Sequence, residues 1–270
     1  MSDTGDRGDS SASGDNSKPS FWRAWENRSE EAQRDQPSWL TPVITSTARL
    51  KQEIRYDIYW QRNPNGSTQE NYGNSKGLAL IPFSRMEIGI DAPPVFVHHE
   101  AKVKDGIGDF SVIVKFRILA ANHEEGDYVL TTFLNVSFPT GSYRNGSPHP
   151  VLTPTIAGGK GLGDFVYQGT AGVDLPSADS AILGRRITVN NALQYRRNAK
   201  IWPEFEVNSN FYEDGPNAGK KQVLLTPGIV AGRFRMYRNL TLTIGGGVGF
   251  AITHYHSNTH EQILTIRLPF

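Results

Sequence analysis

The chain has 270 residues, 28 basic and 27 acidic side chains, a net charge of +1 and no cysteine. This balance lacks the basic run of a nucleic-acid surface, and without cysteine there are no disulfides, thiolate catalysts or cysteine-held metals. Mean hydropathy is −0.44, and no apolar run reaches the ~18 residues of a membrane helix; neither fact speaks against crossing a membrane with strands, half of whose side chains are polar.

Residues 1–20 (MSDTGDRGDSSASGDNSKPS) are rich in Gly, Ser and Asp, a composition for disorder. They contain no basic segment followed by an apolar one, so a secretory signal is expected upstream of Met1. Phe21 to Arg34 reads as a short helix, and Trp22, Trp25 and Trp39 precede Pro42. Residues 1–45 are therefore read as a disordered polar tail, continued as a periplasmic extension or as a plug whose tryptophans pack inside a barrel. Residues 46–270 read as one all-β domain.

From about residue 50 apolar and polar residues alternate with period two. Ile54, Tyr56, Ile58 and Trp60 share one face; so do Val112, Val114, Phe116 and Ile118, and then Leu240, Leu242, Ile244, Val248 and Phe250. Twelve strands are expected: 51–60, 77–82, 86–92, 108–120, 127–138, 151–158, 164–174, 185–196, 201–212, 220–234, 240–252 and 261–270. Ten remain if the less regular second, third and sixth are discounted. Glycine and proline, at 27 and 16, supply the turns.

Several runs reach the ~9–11 residues of a tilted membrane strand, longer than the ~5–6 of an average soluble strand. Tyr128 and Phe138 end one apolar face ten positions apart; at ~3.3 Å per residue and a ~40° tilt they stand roughly 25 Å apart, the height of a barrel's apolar band between its aromatic girdles. The expected connectors alternate between short (83–85, 121–126, 159–163, 197–200, 235–239) and longer (61–76, 93–107, 139–150, 175–184, 213–219, 253–260), as periplasmic turns and outer loops do. In the last strand Leu264, Ile266, Leu268 and Phe270 share the outer face. This points to a transmembrane antiparallel up-and-down barrel in the outer membrane. Its partners are membrane lipids and an insertion machinery that reads the final strand, so that deleting Phe270 impairs insertion. No nucleic acid is expected.

The opposite strand faces carry Arg55, Asp57, Glu87, Lys115, Arg117, Arg186, Arg196, Glu204, Glu206 and Arg267. These are candidate lumen-lining charges that would set solute preference. Glu204 and Glu206 are expected to face Arg186 and Arg196 across adjacent strands. Eight-stranded barrels are filled and those with ~16–18 strands hold an aqueous channel; twelve implies a narrow or partly blocked pore.

Gly106-Ile107-Gly108-Asp109-Phe110 nearly repeats as Gly161-Leu162-Gly163-Asp164-Phe165, each opening an alternating strand, and Phe138-Pro139-Thr140-Gly141 closes one. A strand rather than a helix follows each glycine pair, so this is a turn and not a phosphate cradle. With the terminal Phe, these motifs over about residues 45–270 resemble the outer-membrane barrel family of the MetA-pathway of phenol degradation. The resemblance implies a Gram-negative outer-membrane barrel that takes up small, often aromatic, molecules.

The remaining chemistry is sparse. His254 and His256, whose i, i+2 spacing would share a face if extended, with His260, are candidate ligands for zinc or copper, with His98-His99-Glu100 in another loop; incidental loop histidines are the stronger reading, and no metal or other cofactor is assigned. No serine stands in a G-x-S-x-G setting, so an enzyme is not expected. Passive uptake of small solutes is thus the leading function. A non-transporting barrel, structural or with a loop-based hydrolase, and a soluble lipocalin-like binding protein remain as alternatives.

Overall fold

In the computed structural model, residues 21–196 and 198–270 are described; the polar tail 1–20 lies outside them. Helix α1 spans Phe21–Arg34. Twelve antiparallel strands follow and close into a barrel. They are β1 (Glu53–Arg62), β2 (Thr68–Gly73 and Gly77–Phe83), β3 (Met86–Asp91 and Val95–His99), β4 (Gly106–Ile107 and Phe110–Ala121), β5 (Tyr128–Phe138) and β6 (Val151–Leu162). The second half comprises β7 (Phe165–Pro176), β8 (Arg186–Tyr195), β9 (Ile201–Tyr212), β10 (Lys221–Tyr237), β11 (Leu240–Ala251) and β12 (His260–Pro269). Each strand pairs with the next, and β12 closes on β1 through Ile54↔Leu268, Ile58↔Leu264 and Arg62↔His260. Closure of β12 on β1 pairs the edges that an open sheet would expose, which a backbone surrounded by hydrocarbon requires.

The expected faces are present. Ile54, Tyr56, Val114, Phe116, Phe205, Ile244 and Phe250 are exposed on the outer surface, whereas Arg55, Asp57, Lys115, Arg117, Glu204 and Glu206 are buried. A surface with this much exposed apolar side chain needs lipid as its solvent. Aromatic pairs mark its two borders: Phe165 with Tyr195 at 5.1 Å near the short-turn end, and Phe110 with Phe138 at 6.0 Å near the other. Helix α1 and Phe270 lie at the short-turn end.

Three expectations are corrected. Residues 61–76 and 93–107 are not whole loops: Thr68–Gly73 and Val95–His99 are strands that pair with each other from Thr68↔His99 to Tyr72↔Val95. The first is polar (TQENYG) and carries no apolar alternation. Each is separated from the rest of its strand by a break. Asn74 and Ser75 have φ of 43° and 47°, and Pro93 and Pro94 have no N–H to donate. Connector 159–163 shrinks because β6 runs to Leu162, leaving Gly163 and Asp164 as the turn, with Gly163 at a φ of 59° that glycine adopts freely. The two Gly-x-Gly-Asp copies consequently sit at opposite ends of the barrel and are not a structural repeat. In the loop-end copy, the Asp109 carboxylate accepts from the backbone N–H groups of Thr140 (3.1 Å), Gly141 (2.8 Å) and Ser147 (2.7 Å). It pins the loop that the Pro-Thr-Gly exit opens.

Candidate functional site

The first strand starts at Glu53, two residues beyond the expected 51, and residues 35–52 run through the barrel interior. This segment is neither strand nor helix beyond its first residues. Trp39, Leu40, Val43, Ala48 and Leu50 are buried, as are Gln36, Thr45 and Thr47. Trp39, Leu40, Val43 and Ala48 pack in one cluster with Tyr59, Val129, Ala157, Val166, Trp202, Val230 and Ile263, all from the inner wall. Room for Trp39 comes from Gly159: a Cβ there would stand 2.6 Å from the indole ring.

Irregular backbone inside a barrel must find hydrogen bonds other than a ladder. Here the lumen side chains provide them. Glu206 accepts from the N–H of Ile44 (2.7 Å), the N–H of Thr45 (2.7 Å) and the Thr45 hydroxyl (2.5 Å). Glu204 accepts from the N–H of Val43 (2.8 Å) and from Gln194 (2.7 Å). Gln168 donates to the Leu40 carbonyl (3.0 Å) and accepts from the Thr47 hydroxyl (2.7 Å). Arg55, held by Asp57 at 2.7 Å, donates to the Val43 carbonyl (2.6 Å). Arg267 donates to the carbonyls of Thr41 and Pro42. Thr131 donates to the Ala48 carbonyl (2.5 Å), and the Trp39 indole N–H donates to Asp127 (2.8 Å). Nearer α1, Glu87 pairs with Lys115 (3.0 Å) and accepts from the Lys51 N–H (2.5 Å), while Arg117 donates to the Ala32 carbonyl (2.6 Å).

Eight of the ten candidate lumen charges, namely Arg55, Asp57, Glu87, Lys115, Arg117, Glu204, Glu206 and Arg267, are thus buried around this segment. Arg186 and Arg196 are not part of the group. The register places Glu204 opposite Gln194 and Glu206 opposite Ala192, so the expected cross-strand cluster does not form. Arg186 instead pairs with Asp174 at 2.6 Å near the loop end, and Arg196 with Asp127 at 3.0 Å near the turn end. Gln168, Gln194 and Thr131 are uncharged and carry no signal of a lumen-lining charge in the sequence, and Asp127 stands just outside its strand, before Tyr128. Two arginines were likewise not legible: Arg233, which holds the segment through the Ser38 carbonyl, and Arg49, which lies on the segment and donates to its Trp39 carbonyl.

Open volume is uneven. Beside the segment, against β2 and β3, the void is about 60 Å³, room for a few waters. A 250 Å³ cavity lies at the loop end by Asp174, Arg186 and Tyr212. A cleft of 1180 Å³ lies at the turn end, between α1, the segment and the β10–β11 turn.

The candidate metal ligands do not converge. Residues 254 and 256 lie in a loop, where the shared strand face expected of them does not exist. His256 meets the Thr253 carbonyl at 2.9 Å and His260 the Thr259 hydroxyl at 3.4 Å. His98 meets Asn145 (2.8 Å) and His99 meets Glu70 (3.5 Å). Among the described residues no group of three or more His, Asp or Glu is placed to hold a metal. At the loop end His149 meets Asp179 at 2.8 Å, but nearby Ser147 accepts from the backbone N–H of His149, which is not a nucleophile–base arrangement.

Two solved structures share this architecture. The chain is similar to the NanC porin, with a TM-score of 0.51 and 10% identity over 81% of this chain and 98% of that one. It is also similar to an outer-membrane channel from Pseudomonas putida F1, with a TM-score of 0.54 and 14% identity over 85% of this chain and 98% of that one. At these identities the shared property is the fold. No family model matches the chain, and no curated protein matches it; membership of the phenol-degradation barrel family is therefore not shown.

Proposed function

We propose that the chain is an outer-membrane channel for passive uptake of small molecules, closed at rest by its own residues 36–50. The observation that carries this reading is how the segment is held. Among the described residues it pairs with no strand of the wall, and it is fastened by side-chain hydrogen bonds and two apolar clusters, the smaller one joining Leu50 to Ala32 and Ile81. Bonds of this kind break and re-form singly, so the segment can leave while the closed barrel stays intact. Support for a channel also comes from the two similar structures, a porin and an outer-membrane channel. Small aromatic or otherwise hydrophobic solutes suit the inner-wall patch of Val129, Val166, Trp202 and Val230 that departure of Trp39 would uncover, in keeping with the family resemblance.

A non-transporting barrel is the second reading, favoured by the 60 Å³ void left beside the segment. Solute uptake by proteoliposomes separates the two. A form lacking residues 1–51 is expected to admit phenol faster than the full chain. Equal uptake by both at the rate of empty vesicles, with the barrel shown to be inserted, would establish the filled, non-transporting barrel.

A further inference from the structure

Three arginines converge on the turn-end cleft from separate elements: Arg49 from the internal segment, Arg233 from β10 and Arg267 from β12. None has a carboxylate within 4 Å among the described residues, although Asp and Glu take most other interior cations. What they hold is backbone. Arg233 donates to the Ser38 carbonyl, Arg49 to the Trp39 carbonyl, and Arg267 to those of Thr41 and Pro42. All four carbonyls belong to the first part of the segment that fills the lumen.

Two further observations mark these side chains as more than clasps. The Nε atoms of Arg49 and Arg267 are buried without a hydrogen-bond partner among the described residues, and Arg267 is 1% exposed. Each guanidinium thus keeps an unused donor. Arg233 sits in a register shift of β10 between Ala231 and Phe234, at a φ of 60°. A left-handed conformation is uncommon for arginine, and a bulge re-aims the side chain it carries; here it brings the guanidinium to the cleft.

A neutral carbonyl is a poor match for a guanidinium. A carboxylate offers two oxygens to its fork in bonds roughly twice as strong as neutral ones. The cleft is built to admit one. Six cationic side chains line it against three carboxylates, Glu26, Glu30 and Glu53, and Glu53 is already paired with Lys51. Trp25, Trp39, Leu80, Leu240 and Phe270 supply apolar wall. A volume of 1180 Å³ accommodates a ligand of ordinary small-molecule size, for which pockets of ~300–1000 Å³ are typical.

We infer that the turn-end cleft binds small organic carboxylates with an apolar body, and that the bound carboxylate takes Arg233 and Arg267 from the carbonyls of Ser38, Thr41 and Pro42, which tie the segment to the wall, and draws Arg49 from its contact with Trp39 inside the segment, and so releases the segment from the lumen. This rests on the reading of residues 36–50 as the closing element. A ligand that binds the released state better shifts the population toward it by that difference in affinity.

The test uses the full chain, which has no cysteine, carrying Val43→Cys. Val43 is fully buried, so its rate of labelling by a water-soluble thiol reagent reports release of the segment. Phenylbutyrate at millimolar concentration is expected to raise the rate at least tenfold. Phenylbutanol, which lacks the charge, and acetate, which lacks the apolar body, are expected to leave it unchanged. In the Arg49→Gln/Arg233→Gln background the response, taken relative to that variant's own baseline, is expected to vanish. Slow labelling that phenylbutyrate does not change would overturn the carboxylate site while leaving the closing segment in place, and so would equal acceleration by phenylbutanol or a response that survives in the double variant. Rapid labelling of Val43→Cys without any ligand would instead overturn the closing segment itself.

Discussion

The outer and inner faces of the wall are built from the same strands by opposite rules. Outside, side chains such as Ile244, Phe116 and Phe205 stand separately against lipid, and each contributes according to its own apolar area. Inside, Glu204, Glu206, Gln168 and Arg267 act through a shared partner, the backbone of residues 38–48. An outer residue is nearly independent of its neighbours, whereas an inner one leaves several buried groups unsatisfied when it is lost. Substitutions inside should therefore open the barrel interior, and those outside should only shift overall stability.

The largest effect is expected at Glu206. Glu206→Ala strands three donors, the N–H of half-buried Ile44 and the N–H and hydroxyl of buried Thr45. At ~1–3 kcal/mol for each unsatisfied group, partly relieved by entering water, the closed arrangement loses on the order of 3–5 kcal/mol. Thiol labelling of Val43→Cys should then accelerate by roughly 100-fold or more, with Glu206→Gln in between because one acceptor oxygen remains. An unchanged rate in Glu206→Ala would mean that the carboxylate does not hold the segment. Next comes Gly159→Ala, whose Cβ would stand 2.6 Å from the ring of Trp39 and 2.8 Å from the backbone oxygen of Tyr167 on the adjacent strand. Overpacking of this kind costs ~1–3 kcal/mol, so labelling should rise ~10-fold while the heat-modified gel shift of the barrel persists. Loss of the folded band would show that the clash falls on the wall and not on the segment. The smallest effect belongs to the outer face: Ile244→Val removes one methylene, about 0.8 kcal/mol at most. It should lower the urea midpoint slightly and leave labelling at Val43→Cys untouched; faster labelling would break the separation between the faces.

The same contrast explains what the sequence discloses. Period-two alternation depends only on a residue and its own environment, so the outer face, the strand faces of β4, β5, β9, β11 and β12, and the twelve-strand count are readable. The polar run Thr68–Gly73 shows no alternation and is found only through its pairing with Val95–His99. The interior partnership was less legible still. Glu206 reads as a lumen charge, but nothing near it in sequence indicates that its partners are the N–H groups of residues 44 and 45. One signal was present: Val129, Val166, Trp202, Val230 and Ile263 place apolar side chains on the inner face, which an aqueous lumen has no use for. Apolar residues there demand an apolar occupant, and Trp39, Leu40 and Val43 are the nearest unassigned run in the chain.

Single-channel recording in a planar bilayer tests the central claim most directly, comparing the full chain with a form lacking residues 1–51. Removal of a closing segment predicts discrete current steps from the truncated form and a closed or only briefly opening full chain. Steps of the same size and frequency from both forms would contradict it, because residues 36–50 would then occupy the lumen without obstructing it.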